Sequence, residues 1–121
     1  MRLLLEDAAR RAIAHLDGLP TRHSVPSAEA VARLADLDVP LPECSEDPAS
    51  VLRALDEYGS PATLAMPGPR FFGFVIGGHL PAALAANWLA TAWDQCTSYY
   101  NATPGTAVLE QVALRWLLEA L

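Results

Sequence analysis

Between Phe71 and Trp93 the chain carries no Asp, Glu, Lys or Arg. A stretch this apolar has to leave water, and only a bilayer or a polypeptide surface can take it in. Its length would suffice to span a bilayer. Gly77-Gly78-His79 and Pro81 interrupt it, however, Asn87 sits inside it, and Arg70 alone flanks it where a basic cluster would be expected. The reading is therefore a buried loop followed by a buried helix, with no membrane partner.

The cover for that segment has to come from a chain of 121 residues, enough for one small domain and a modest core. Leu5, Ala9, Ala12, Ile13 and Leu16 recur at helical spacing, with Glu6, Asp7, Arg10 and Arg11 on the other faces and Gly18 as a stop. Ser27 stands as the cap of a short helix through Ala28, Val31, Leu34 and Ala35, before Pro40 and Pro42 break the pattern. Asp47-Pro48 repeats the cap-and-proline start for a helix carrying Val51, Leu52, Leu55 and Tyr58 as far as Gly59. Three short amphipathic helices joined by proline-rich connectors are expected to wrap a partner surface rather than form a bundle.

Pro81 opens a fourth helix. Its polar positions Asn87, Thr91, Asp94, Gln95 and Ser98 fall on one narrow stripe, so it is expected to be buried on most sides. Thr103-Pro104 opens the last helix, apolar on two faces through Val108, Leu109, Val112, Leu114, Trp116, Leu117 and Leu118. The spacing thus predicts five helices, near 3–17, 28–37, 48–58, 81–97 and 104–121, with little or no sheet. The last runs to Leu121 with no Gly, Asn or Pro to close it, so the chain reads as the front part of something larger.

Charge narrows the partners. Eight basic residues, all Arg, face fourteen acidic ones, for a formal charge of −6. That balance disfavours phosphate backbones, so nucleic acid is not expected as a partner. Cys44 and Cys96 show no CxxC or Cys/His ligand spacing, and Met1 to Leu5 runs straight into Glu6 and Asp7 in place of a secretory signal. Both features point to a cytoplasmic protein.

No local motif specifies a reaction. His15, His23 and His79 are scattered without carboxylate or thiol partners at ligand spacing. Gly73 and Gly77-Gly78 make neither a dinucleotide fingerprint nor a P-loop; a turn at positive φ or a close backbone approach accounts for them better. Ser98-Tyr99-Tyr100 offers phenols equally suited to a ligand or to packing, and Cys96 reads as a small buried hydrophobe.

Three features carry a family likeness. They are Pro69-Arg70-Phe71-Phe72, Leu80-Pro81 at a helix start, and Thr103-Pro104 leading to Leu109-Glu110-Gln111-Val112. From Pro69 to Leu118 the chain resembles the amino-terminal region of the group II pyridoxal-phosphate-dependent decarboxylases, the family of the aromatic-L-amino-acid and glutamate decarboxylases. The resemblance implies a helical amino-terminal segment of a fold type I, aspartate aminotransferase-like enzyme, lacking the central α/β domain. It implies residues 1–68 as a dimer-wrapping segment and 69–121 as the start of the decarboxylase domain.

The same resemblance implies a homodimer, pyridoxal 5′-phosphate as cofactor, an amino acid as substrate and loss of its α-carboxylate as CO₂. Phe71, Phe72, Phe74, Val75, Ile76 and Gly77, with Ser98 and Tyr100, would line the substrate pocket. The lysine that holds the cofactor has no counterpart here, since the chain contains none; no catalytic and no cofactor-binding residue is assigned to it. Gly68 stands where the family has His, Asn101 where Glu is frequent, and Val75-Ile76-Gly77 in place of the Phe-Pro-Thr of the aromatic-specific branch. A stand-alone helical dimerisation module without enzymatic activity is the alternative.

Overall fold

The computed structural model describes residues 1–97 and 99–121 and is helical over 60% of the chain, with no strand among those residues. The order is α1 (Arg2–Gly18), α2 (Ala28–Ala32) running on as a 3₁₀ turn (Arg33–Leu37), α3 (Pro48–Ala54), a π turn (Leu55–Gly59), a 3₁₀ turn (Ser60–Ala62), α4 (Pro81–Trp93) and α5 (Pro104–Ala120). Two compact units result, Met1–Gly78 and His79–Leu121.

In the first unit the helix starts follow local chemistry. Ser27 accepts the Ala30 N–H and Asp47 accepts the Ser50 N–H at 3.2 Å, with Pro48 in the first turn of α3. One helix end departs from the spacing, while α1 ends at Gly18 and the 3₁₀ turn after α2 reaches Leu37 as expected. The stretch expected as helix 48–58 is α-helical only to Ala54 and then widens into the π turn, which carries Asp56, Glu57 and Tyr58. Asp56 is thereby brought to Arg11 of α1, whose guanidinium donates to Asp7 and Asp56 at 2.8 Å each.

The segment after α1 reads in the sequence as a connector, yet it forms the seam of this unit. Ala65 donates its N–H to the Ser24 carbonyl at 3.1 Å, Ser24 Oγ donates to the Arg70 carbonyl, and the Arg70 guanidinium donates to the Arg22 carbonyl. Leu19 and Ala65, 6% and 2% exposed, are the buried apolar residues of the described chain. A methyl group on Gly68 would meet the Ala65 carbonyl oxygen at 3.0 Å and that of Leu19 at 3.4 Å, so this glycine permits the close approach of the two strands of chain.

In the second unit α4 begins at Pro81 as expected but stops at Trp93, short of 97. Asp94 takes the left-handed conformation at φ 49° and Gln95 Nε2 donates to the Trp93 carbonyl at 2.7 Å, satisfying one of the terminal acceptors. The polar stripe is therefore shorter than the spacing suggests: Asn87 and Thr91 lie on the helix, Asp94 and Gln95 beyond it, and Ser98 outside the described residues. At about 20 Å, α4 is too short for a bilayer core, and no helix among the described residues is long and apolar enough to cross a membrane. Thr103 precedes α5, but its hydroxyl turns back to the Cys96 and Tyr99 carbonyls at 2.8 and 3.1 Å instead of capping the helix. That inward hydroxyl explains its burial.

No helix contributes a buried residue. The expected burial of α4 is absent: Trp88, Leu89 and Trp93 are all exposed, as are Leu114, Trp116, Leu117 and Leu118 of α5. Total accessible surface is 9856 Å². A folded monomer of 13.0 kDa is expected to expose roughly 6,300 Å². Two separate globules of the lengths of the two units would expose only about 7,600 Å² between them. The chain thus leaves more than roughly 2,000 Å² uncovered even on the generous comparison, and the surplus is rich in Leu, Val, Phe and Trp.

Candidate functional site

The aromatic segment lies at the end of the first unit. Phe71 N–H bonds back to the Gly68 carbonyl at 3.3 Å, and from there the chain has no regular structure until a single turn. That turn is Gly73-Phe74-Val75-Ile76, closed by Ile76 N–H to Gly73 O at 3.3 Å, with φ of 58° at Phe74 and 56° at Val75. Positive φ at both central residues is the type I′ arrangement, whose usual occupants are Asn-Gly.

The glycines of this segment are expected either to turn at positive φ or to permit a close approach, and a Cβ on Gly78 would lie 3.6 Å from the Pro67 backbone. No glycine has positive φ, and two side-chain-bearing residues do, one of them β-branched. Left-handed backbone costs an ordinary L-residue roughly 1–2 kcal/mol. What opposes that cost within the turn is one exposed hydrogen bond, worth about 0.5–1.5 kcal/mol, and a tilted ring contact of Phe71 with Phe74 at 6.0 Å and 44°, of similar worth.

Of the residues proposed to line a pocket, Phe71 and Phe74 touch. Phe72 (91% exposed), Phe74 (74%) and Val75 (fully exposed) stand in solvent, and Ile76 and Gly77 are exposed beside them. Tyr100 is exposed and belongs to the second unit, with Tyr99 next to it, and Ser98 lies outside the described residues. Cys96, read as a buried hydrophobe, is exposed, as is Cys44.

Sequence reasoning passed over the best-organised polar groups of the first unit. The Arg22 Nη2 points at three carbonyl oxygens, those of Ser60 (2.7 Å), Pro61 (3.0 Å) and Thr63 (2.7 Å), while Nη1 lies 3.3 Å from His15 Nδ1. The second group is the Asp7–Arg11–Asp56 chain. Arg11 and then Arg10 hold the Asp7 carboxyl below its ordinary range; the Ser60 hydroxyl and then Arg11 do the same for Asp56; the two carboxylates, Asp7 foremost, raise Arg11. Each shift favours the charged form, as in a structural ion-pair network; none poises a group to exchange protons near neutrality. Arg33 lies 5.0 Å over the Tyr58 ring and 3.3 Å from Glu57, which fills that corner with a cation already paired.

Among the described residues, open clefts occur in each unit. One, about 190 Å³, is bordered by Ser27, Arg33, Glu57 and Tyr58 in the first unit; the other, about 350 Å³, by Trp93, Gln95, Thr106 and Leu109 in the second. Neither is lined by the aromatic segment. No cluster of His, Cys, Asp or Glu among the described residues could hold a metal ion.

Pyridoxal phosphate needs a lysine to carry it, amide N–H groups or cations around its phosphate and a carboxylate at its ring nitrogen. This chain has no lysine. Arg22 and Arg11 are spent on carbonyls and carboxylates of the fold. The residues present do not fit the cofactor, and no catalytic step follows from them. Comparison with protein-family models, with characterised proteins and with solved structures finds no match for this chain.

Proposed function

We propose that this chain is the amino-terminal helical segment of a group II pyridoxal-phosphate-dependent amino-acid decarboxylase, of fold type I. It wraps the dimer, lines the substrate pocket and is inactive by itself. The observation that carries this reading is the pairing of the family-like stretch Pro69 to Leu118 with a chain that buries almost nothing: an apolar, helical surface of this size is what remains when such a segment is taken away from the body it covers. Pyridoxal phosphate would supply the electron sink for decarboxylation in the complete enzyme, and none of the residues holding it is assigned to this chain. The lysine holding it would come from another part of the polypeptide, and the enzyme would work in the cytoplasm.

Within that reading, Phe72, Phe74 and Val75 contact the amino-acid side chain. The test is a protein in which this chain is joined to a complete decarboxylase domain. There Phe74→Ala is expected to raise KM or lower kcat severalfold while cofactor content stays constant, the first locating the contact in ground-state and the second in transition-state binding. Unchanged kinetics with a dissociated dimer would make the turn an interface element and remove the pocket assignment. The nucleotide sequence after the codon for Leu121 tests the family: an open frame encoding a lysine-bearing sheet domain supports it.

The surplus of exposed apolar surface favours a second reading equally, a stand-alone helical module that pairs with itself. A stop codon directly after Leu121 in a cleanly dimeric, cofactor-free protein would select it.

A further inference from the structure

The geometry points to a conformational device in the aromatic segment: the Gly73–Ile76 turn is a two-state element. One state is the left-handed form described above; the other is a relaxed form with Phe74 and Val75 at negative φ. Strained backbone persists only where surroundings over-determine it. Here they do not, because the Val75 side chain is wholly exposed, Phe72 is 91% exposed, and a single 3.3 Å hydrogen bond and one ring contact hold the turn.

The flanks can accommodate the change. Gly77 has nothing near the position of a Cβ, and Gly73 lies against the Phe71 ring, where a Cβ would come within 3.1 Å. Glycine on both sides gives the backbone freedom to swing, while Phe71, anchored by its N–H to Gly68, marks the fixed end. Only the left-handed form presents Phe72, Phe74 and Val75 as observed, so any contact made with this tip is linked to the conformation of the turn, and its apparent affinity is reduced by the fraction of chains in the relaxed form.

The test uses the full chain, isotope-labelled, with Val75→Ala, Val75→Gly and Val75→Pro. Intraresidue amide-to-Hα contacts and carbon shifts at positions 74 and 75, with exchange protection of the Ile76 amide, report the sign of φ by solution NMR or, for self-associated chain, by solid-state NMR. Because Val75 packs against nothing, helix content by circular dichroism is expected to stay the same in all four proteins. The native chain and Val75→Ala are expected to give values averaged between the two forms. Val75→Gly should move the equilibrium about tenfold towards the left-handed form by removing the Cβ penalty at one residue. Val75→Pro, unable to reach positive φ and disfavouring a helical region at Phe74, should show only the relaxed form. Values at the left-handed limit in the native chain, unmoved by glycine, would overturn the proposal. Relaxed values in both the native chain and Val75→Gly would overturn it equally.

Discussion

Arg22→Ala is expected to take the first unit apart. The guanidinium faces three carbonyl oxygens, of Ser60, Pro61 and Thr63, through one nitrogen with two protons, so two full charge-assisted bonds are present at any moment. Hydrogen bonds to a charged group contribute about 1.5–3 kcal/mol each when desolvated. Two of these three contacts are exposed, and water can replace them at the carbonyls. A net loss of about 2–3 kcal/mol is the result, or roughly 30- to 150-fold in the folding equilibrium. For a unit whose apolar core is Leu19 and Ala65, that is a large share of its stability.

Native-state hydrogen exchange at the Ala65 amide, which bonds the Ser24 carbonyl, is the direct assay, with urea unfolding as its companion. Arg22→Lys should recover only part of the loss, since an ammonium lacks the planar fork. Arg2→Ala is the control, because Arg2 is highly exposed and, among the described residues, pairs with Glu6 one turn on. If Arg22→Ala and Arg2→Ala changed Ala65 protection equally, the seam would not depend on the arginine and the reasoning would fail.

Acid should loosen the tie between α1 and the π turn. Asp7 and Asp56 both have carboxyl groups lowered from the ordinary 3.8, so their contribution is complete above about pH 5 and is lost as pH falls through 3.8 and below. Thermal melts at pH 6 and pH 3 should differ in the native chain and differ by less in Arg11→Met, where Arg10 still faces Asp7 and the Ser60 hydroxyl still faces Asp56; a pH difference undiminished by that substitution would place the acid sensitivity elsewhere. Gly68→Ala should cost about 1–3 kcal/mol by forcing apart the backbones at Leu19 and Ala65, read as a lower urea midpoint with unchanged helix content at low denaturant. Pyridoxal phosphate added to the chain should give no absorption beyond reaction with its α-amino terminus and no decarboxylation of any amino acid above the rate of free cofactor; either signal would show a site that the chain's residues do not suggest.

Helix starts were legible because capping is local. Ser27, Asp47-Pro48 and Leu80-Pro81 lie within three residues of the groups they organise. Helix ends were less so, because they answer to carbonyls that find distant or competing partners: the π turn after Ala54 delivers Asp56 to Arg11, and Gln95 closes α4 early at Trp93. The seam made by Arg22 could not be read at all, since its acceptors lie 38 to 41 positions along the chain and nothing in Leu19 to Pro26 marks its one arginine as a structural donor. In the aromatic segment the residues stood out by composition, but not their backbone. Three glycines nearby carry the expectation of positive φ or of close approach, and the positive φ falls to Phe74 and Val75 instead.

Sedimentation velocity of the purified chain at micromolar concentration tests the central claim, that this polypeptide completes its fold only against another surface. The 9856 Å² of accessible surface, more than 2,000 Å² beyond what independent globules of its size are expected to expose, predicts a dimer or larger assembly whose Val108 to Trp116 amides are protected from exchange. A compact monomer of 13.0 kDa at the same concentration, with those amides protected, would contradict it.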